Sequence, residues 1–112
     1  MRPGQLTVNE LERAILQAIA AQGEVTLPPI ARLHVLSREY TGVGSYTTFL
    51  RSKQSEEKRT HVTLRARVRI PCVPNGLGAA LFLRAGEPEV LECFTYSEHW
   101  DGTFDGFKIA LD

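Results

Sequence analysis

Net charge is the first thing this chain lacks: thirteen Lys or Arg stand against thirteen Asp or Glu. A domain that holds nucleic acid needs a basic excess to meet phosphates, so nucleic acid is not the expected partner. Cysteine is scarce as well. Cys72 and Cys93 are too few for a disulfide framework, and each has apolar neighbours, where a free thiol behaves as a small hydrophobe. Long hydrophobic runs are missing too. The longest, Ala79 to Leu83, falls far short of the ~20 residues that span a bilayer. No apolar stretch behind Met1-Arg2-Pro3-Gly4-Gln5 is long enough for a secretory leader. A cytoplasmic protein without membrane attachment is therefore expected.

The motifs of catalysis are equally thin. Gly42-Val43-Gly44 is followed by serine, tyrosine and threonine, with no helix behind it for a phosphate to cap. Ser37, Ser45 and Ser97 lack an elbow motif or a histidine paired in sequence. His34, His61 and His99 show no metal-ligand spacing, and only convergence in space with Cys72 and Cys93 would build a metal site. No catalytic residue, cofactor or metal is assigned.

What remains is ordinary globular material. The 112 residues are 43% apolar, enough for a single domain with its own core but not for two. Disorder is expected only in the first five residues and the last one or two. Thr7 and Glu10 have the spacing of a capping box, and Leu6 and Leu11 that of a hydrophobic staple. Leu11, Ala14, Ile15, Ala18 and Ile19 recur at helical spacing, with Glu12, Arg13 and Gln17 off that stripe. Gly23 is a good terminator. The spacing predicts a helix over 8–22. Pro28 and Pro29 then permit a short second helix whose face would be Leu27, Ile30 and Leu33.

From His34 onward the pattern is extended. Residues 34–41 and 45–50, parted by Gly42-Val43-Gly44, read as a hairpin or one bulged strand, and 51–60 as an exposed polar loop. Val62, Leu64, Ala66, Val68 and Ile70 alternate without a fault with His61, Thr63, Arg65, Arg67 and Arg69. Period two with one wet face marks an antiparallel strand packed on one side. Pro71, Pro74, Asn75 and Gly76 are read as its end. Gly78 to Arg84 and Glu89 to Tyr96 are two more strands, with Ala85 to Pro88 as their turn, and Phe107 to Leu111 closes the sheet. The predicted fold is α+β: an N-terminal helix packed on a mostly antiparallel sheet of five or six strands.

Charge, though balanced, is segregated. Residues 51–69 hold seven Lys or Arg against Glu56 and Glu57, and residues 86–112 hold seven Asp or Glu against Lys108. These segments either neutralise each other as neighbouring strands or leave a polarised surface. On a regular strand Arg65, Arg67 and Arg69 would project from one face about 6.6–7 Å apart. Such a row is a solvated face screened by neighbouring glutamates, a contact for an acidic protein or other anion, or a contact for nucleic acid, which the balanced charge of the chain disfavours. Glu92 interrupts Val90-Leu91-Glu92-Cys93-Phe94, which otherwise reads as buried on both faces. Arg38 is its expected ion-pair partner, with a ligand-facing role or simple exposure to water as the alternatives. Trp100, beside Asp101-Gly102, either anchors a partner or caps the end of the core.

Two stretches resemble a family together: Ser37-Arg38-Glu39-Tyr40-Thr41-Gly42-Val43-Gly44, and Leu91-Glu92-Cys93-Phe94-Thr95-Tyr96-Ser97-Glu98-His99-Trp100. They are similar to segments of small uncharacterised bacterial proteins with an REYTGVG stretch and a LEGYTYxExW-like stretch. Cys93 stands where that pattern has glycine, and His99 where it has proline. The resemblance spans about half the chain. It implies a bacterial or phage origin and one patch made of Arg38, Glu39, Tyr40, Glu92, Tyr96, Glu98 and Trp100, but no chemistry.

Two functional readings follow. The first is a protein-binding module, immunity- or inhibitor-like, acting by surface contact through the arginine row or the acidic 86–105 region. The second is a small-molecule-binding protein or enzyme with a polar pocket of Arg38, Glu39, Tyr40, Glu92 and Tyr96. A deep concavity lined by those residues would favour the second, and a flat aromatic or charged face the first. An open edge of a short sheet would also let two copies pair as a homodimer.

Overall fold

The computed structural model describes residues 6–51 and 57–110, and its helix begins two residues later than the spacing predicts. Leu6–Thr7 form a first strand, β1, paired antiparallel with residues 34–35. An extended, paired Thr7 is not free to cap a helix. Asn9 does so instead: its side chain accepts the Glu12 N–H at 2.8 Å, and the Glu12 carboxylate accepts the Asn9 N–H at 2.9 Å. The predicted Thr7–Glu10 box is thus an Asn9–Glu12 box. Helix α1 runs over Glu10–Ala21, and Gly23 follows it at φ +82°, as the terminator reading requires. The staple involving Leu6 rests on a side chain outside the described part, as do the expectations for residues 1–5, 52–56 and 111–112; of the predicted 51–60 loop, Arg59 and Thr60 are instead extended and paired with Arg84 and Leu83.

The buried face of α1 is Leu11, Glu12, Ile15, Leu16 and Ile19, rotated from the predicted stripe so that Ala14 and Ala18 lie at its margin. Glu12, expected in water, is 3% exposed. The predicted second helix is a single 3-10 turn, Ile30–Arg32, with Leu27 and Ile30 packed on the core and Leu33 buried in it.

The remaining strands are β2 (His34–Tyr40), β3 (Gly44–Phe49), β4 (Arg59–Thr63), β5 (Arg67–Ile70), β6 (Val73–Arg84), β7 (Glu87–Thr95) and β8 (Lys108–Ala110). They form one sheet in the order β1-β2-β3-β7-β6-β5-β8, with β4 also on β6, and every pairing is antiparallel. The architecture is α+β, with eight strands where five or six are expected. One addition is β1. Another comes from the segment 60–70, which breaks at residues 64–66 so that β4 and β5 lie end to end along the same edge of β6. Leu64 still donates its N–H to Ala79 O, and Val62, Leu64, Val68 and Ile70 remain inside while Arg65 and Arg69 remain outside. Alternation survives the break because burial drives it, whichever strand the hydrogen bonds define.

Pro74-Asn75-Gly76, expected to separate strands, lies within β6. Gly76 takes φ +72°, and a Cβ there would sit 2.5 Å from Val68 O, so a bulge absorbs the extra residues between Val68↔Leu77 and Ile70↔Val73. The turn after β6 is only Ala85-Gly86, both at positive φ, the geometry that suits a two-residue hairpin. Pro88 is inside β7, at the register shift opposite Leu83.

One sheet face carries Val35, Phe49, Val62, Val68, Leu77, Leu81 and Leu91 and shares a single core with Leu11, Ile15, Leu16 and Ile19 of α1. Trp100, Phe104 and Phe107 close its end. Among the described residues no helix is long and apolar enough to cross a membrane.

Candidate functional site

Arg38 does not meet Glu92. Its Nε donates to Glu12 Oε2 at 2.7 Å and its Nη2 to Glu12 Oε1 at 2.7 Å, a two-pronged pair across the helix–sheet interface. Thr47 Oγ1 donates to Glu12 Oε2 at 2.6 Å, and Arg38 Nη2 also reaches Thr7 O at 2.9 Å. The hydrogen bond to Glu12 raises the Arg38 pKa further, against the effect of burial. With the Asn9 N–H, four donors converge on one carboxylate. Every strong acceptor direction of Glu12 is committed, so the group works as a structural pin joining α1, β2 and β3.

Trp100 is likewise structural. It is 2% exposed, its backbone N–H donates to Gly42 O at 2.8 Å, and its indole Nε1 donates to Thr103 O at 2.7 Å. Tyr40 packs edge-on against it with ring centroids 5.7 Å apart. Gly102, at φ +92°, makes room for that tyrosine, since a Cβ would lie 2.6 Å from its ring. Of the two readings of Trp100, the core cap is the one observed, and a partner anchor is not. Burial raises the Tyr40 pKa.

The opposite face of the sheet is different. Register places Glu39, Tyr46, Glu92, Ala80 and Thr63 in one rung across five strands. The neighbouring rung toward one end is Gly44, Phe94 and Gly78, and toward the other Ser37, Thr48, Val90, Phe82 and His61. A Cβ on Gly78 would come within 2.4 Å of the Phe94 ring and 2.7 Å of the Tyr96 hydroxyl, so that glycine lets the aromatic pair lie down on the sheet. Phe94 and Tyr96 meet edge-on at 5.8 Å, and the Arg67 guanidinium sits 4.5 Å over the Tyr96 ring. At the far end Arg59 lies 5.3 Å over Phe82, beside His61. Between them the Glu92 carboxylate, by its charge and by hydrogen bonding, raises the Tyr46 pKa. Tyr46 and Tyr96 are each 42% exposed. Among the described residues no helix or strand is laid over this face.

Comparison with models of protein families, with curated proteins and with solved structures gives no match for this chain. The reading of its site therefore rests on its own geometry.

The patch implied by the family resemblance is divided. Arg38, Tyr40 and Trp100 belong to the helix side and its end, whereas Glu39, Glu92 and Tyr96 stand on the open face. Glu98 accepts the Asn75 N–H at 3.0 Å at the edge of that face. The five residues of the proposed polar pocket do not converge, because β2 sends Arg38 and Tyr40 to one side and Glu39 to the other. Two concavities lie elsewhere, one near Arg32 and Arg51 and one near Arg69 and Lys108, and neither is lined by Arg38, Glu92 or a tyrosine.

The arginine row is also broken up. Arg65 falls in the gap between β4 and β5, donates its N–H to Gln22 Oε1 at 2.8 Å and pairs with Glu24 at 2.9 Å. Arg67 turns over Tyr96, and Arg69 lies on β5 opposite Lys108 of β8. Some of the segregated charge is neutralised between neighbours: Glu89 is reached by Arg59 at 2.8 Å, Arg84 at 3.0 Å and Arg51 at 3.7 Å. Among the described residues no group of three His, Cys, Asp or Glu could hold a metal ion.

Sequence reasoning passed over Glu12, Tyr46, Phe82 and Phe94. The signal was in β7, which reads as buried on both faces, and its consequence was not drawn. Val90 and Phe94 on one face, with Leu91 and Cys93 on the other, imply cover on both sides, yet a chain with one helix can cover only one.

Proposed function

We propose that this protein is a binding module that acts by surface contact with a partner protein, and that the contact is the sheet face opposite α1. The observation that carries the reading is the set Tyr46, Phe94 and Tyr96, flanked by Glu39, Glu92 and Arg67, on a face with no second layer. Tyrosine, phenylalanine and arginine are the residues enriched at protein interfaces, and small residues beneath them, Gly78 and Ala80, flatten the platform. Exposed aromatics beside arginines also suit single-stranded nucleic acid. Here Glu92 sits in the middle of the platform and Glu39 at its edge, where a phosphate chain would be repelled.

The test uses the full chain as bait for proteins of its host, with a Tyr46→Ala/Tyr96→Ala double variant as the comparison. Both side chains are well exposed, so the variant should keep the parent's thermal midpoint. Saturable binding of a purified partner, lost or weakened more than tenfold in the variant, supports the reading. Equal binding by the variant rejects this face, and binding abolished by nuclease assigns the platform to nucleic acid instead.

A further inference from the structure

A second feature lies away from the open face, where the 3-10 turn meets the end of β3 and the start of β7. A concavity of about 390 Å³ there is walled by Leu33, Leu50 and Pro88 and carries the side chains of Arg32 and Arg51. Its volume falls within the range of small-ligand sites, roughly 300–1,000 Å³.

The two arginines are unusual in what they do not bond. Arg32 follows Pro29 in the 3-10 turn and is exposed, and its guanidinium has no hydrogen bond or ion pair among the described residues. Arg51 is far more enclosed, with a side chain 14% exposed, and its Nη1 is buried without a hydrogen-bond partner. Its Nη2 reaches Glu89 only at 3.7 Å, and that carboxylate already accepts closer bonds from Arg59 and Arg84. One glutamate thus serves three guanidiniums. Among the described residues on the wall Glu87 is the acidic one, and Arg32 with Arg51 outnumber it two to one.

Arg51 Nη1 is itself shielded from the open space, so the donors a ligand would meet are the rest of the Arg51 fork and Arg32, and a planar fork of N–H groups suits an oxyanion. We infer that this concavity binds a small organic oxyanion, a carboxylate or phosphate ester on an apolar body. The charged end meets Arg51 and Arg32, and the apolar part rests on Leu33, Leu50 and Pro88. Nothing in this assignment depends on the open face being a protein contact.

Titration of the isotopically labelled protein with phenyl phosphate and, separately, with benzoate tests it by amide chemical shifts, with benzyl alcohol as the uncharged control. Saturable shifts confined to the amides around Leu33, Leu50 and Arg51 are expected with at least one anion and not with the alcohol. Preference for phenyl phosphate or for benzoate tells a phosphate ester from a carboxylate as the ligand class. Arg51→Gln and Arg32→Gln should each weaken binding about tenfold or more, the value of a charge-assisted hydrogen bond. Arg32 is exposed on a turn, so its variant stays folded even if the Arg51 variant does not. Absence of saturation with both anions through the millimolar range, or saturation unchanged in Arg32→Gln, overturns the inference.

Discussion

Replacing Glu12 by alanine removes the acceptor for four donors at once: the Asn9 N–H, Arg38 Nε, Arg38 Nη2 and the Thr47 hydroxyl. Breaking a buried ion pair from one side costs about 3–5 kcal/mol, because the remaining charge stays desolvated. Arg38 is not fully enclosed, with 17% of its side chain exposed, so water relieves part of that penalty. The lost half of the capping box adds back several tenths of a kcal/mol. The expected destabilisation is about 3 kcal/mol, a large share of the ~5–15 kcal/mol that holds a domain together. For a chain of this size each kcal/mol lowers the midpoint by roughly 4 °C, so a fall of about 12 °C is expected. Urea unfolding followed by fluorescence reads this directly, because Trp100 is the one tryptophan and is buried in the native state. A Glu12→Leu/Arg38→Met double variant should recover at least half of the loss, since both charges leave together. A Glu12→Ala protein within about 0.5 kcal/mol of the parent, at unchanged denaturant slope, would refute the assignment of Glu12 as the pin.

Three further outcomes follow from the packing of the core and the open face. Burial pushes the Cys93 thiol up to about 12, whereas Cys72 is exposed, so a thiol reagent near neutral pH should modify one cysteine in the native protein and two after unfolding; immediate modification of both would contradict the core placement of Cys93. Gly78→Val should destabilise by about 1–3 kcal/mol by displacing the Phe94 ring, and a stabilised variant, as strand propensity alone predicts, would show that the ring does not lie where described. Burial tends to raise the Glu89 pKa, but hydrogen bonds and charge from Arg84 and Arg59 outweigh it and hold the value below the usual 4.5. A depressed folded-state pKa means stability that is complete above about pH 4.5 and lost as pH falls through the lowered value, so unfolding measured across that window should be steeper in the parent than in Glu89→Gln.

Helix α1, the β2–β3 hairpin, the alternation from Val62 to Ile70 and the closing strand were legible because each is a local periodicity. A side chain's face follows from its position in the repeat, and burial of one face then selects the element. The terminators were less legible. Pro74 and Gly76 read as breakers, yet a bulge against β5 accommodates both within β6, and only the partner strand supplies that option. The cap failed for a related reason: Thr7 and Asn9 are both competent, and pairing of β1 with β2 decides between them.

The site residues divide along the same line. That Arg38 and Glu92 needed explaining was visible in the chain, since charge in an otherwise apolar strand is costly wherever it goes. Which charge met which was not, because strand order β2-β3-β7 and the rotation of α1 bring Glu12, not Glu92, beneath Arg38. Composition and period alone determined one helix against one amphipathic antiparallel sheet. Tertiary structure decided that the mixed aromatic and charged face would stand uncovered, because whether a face is wet depends on how many layers the chain can build, a property of the whole molecule.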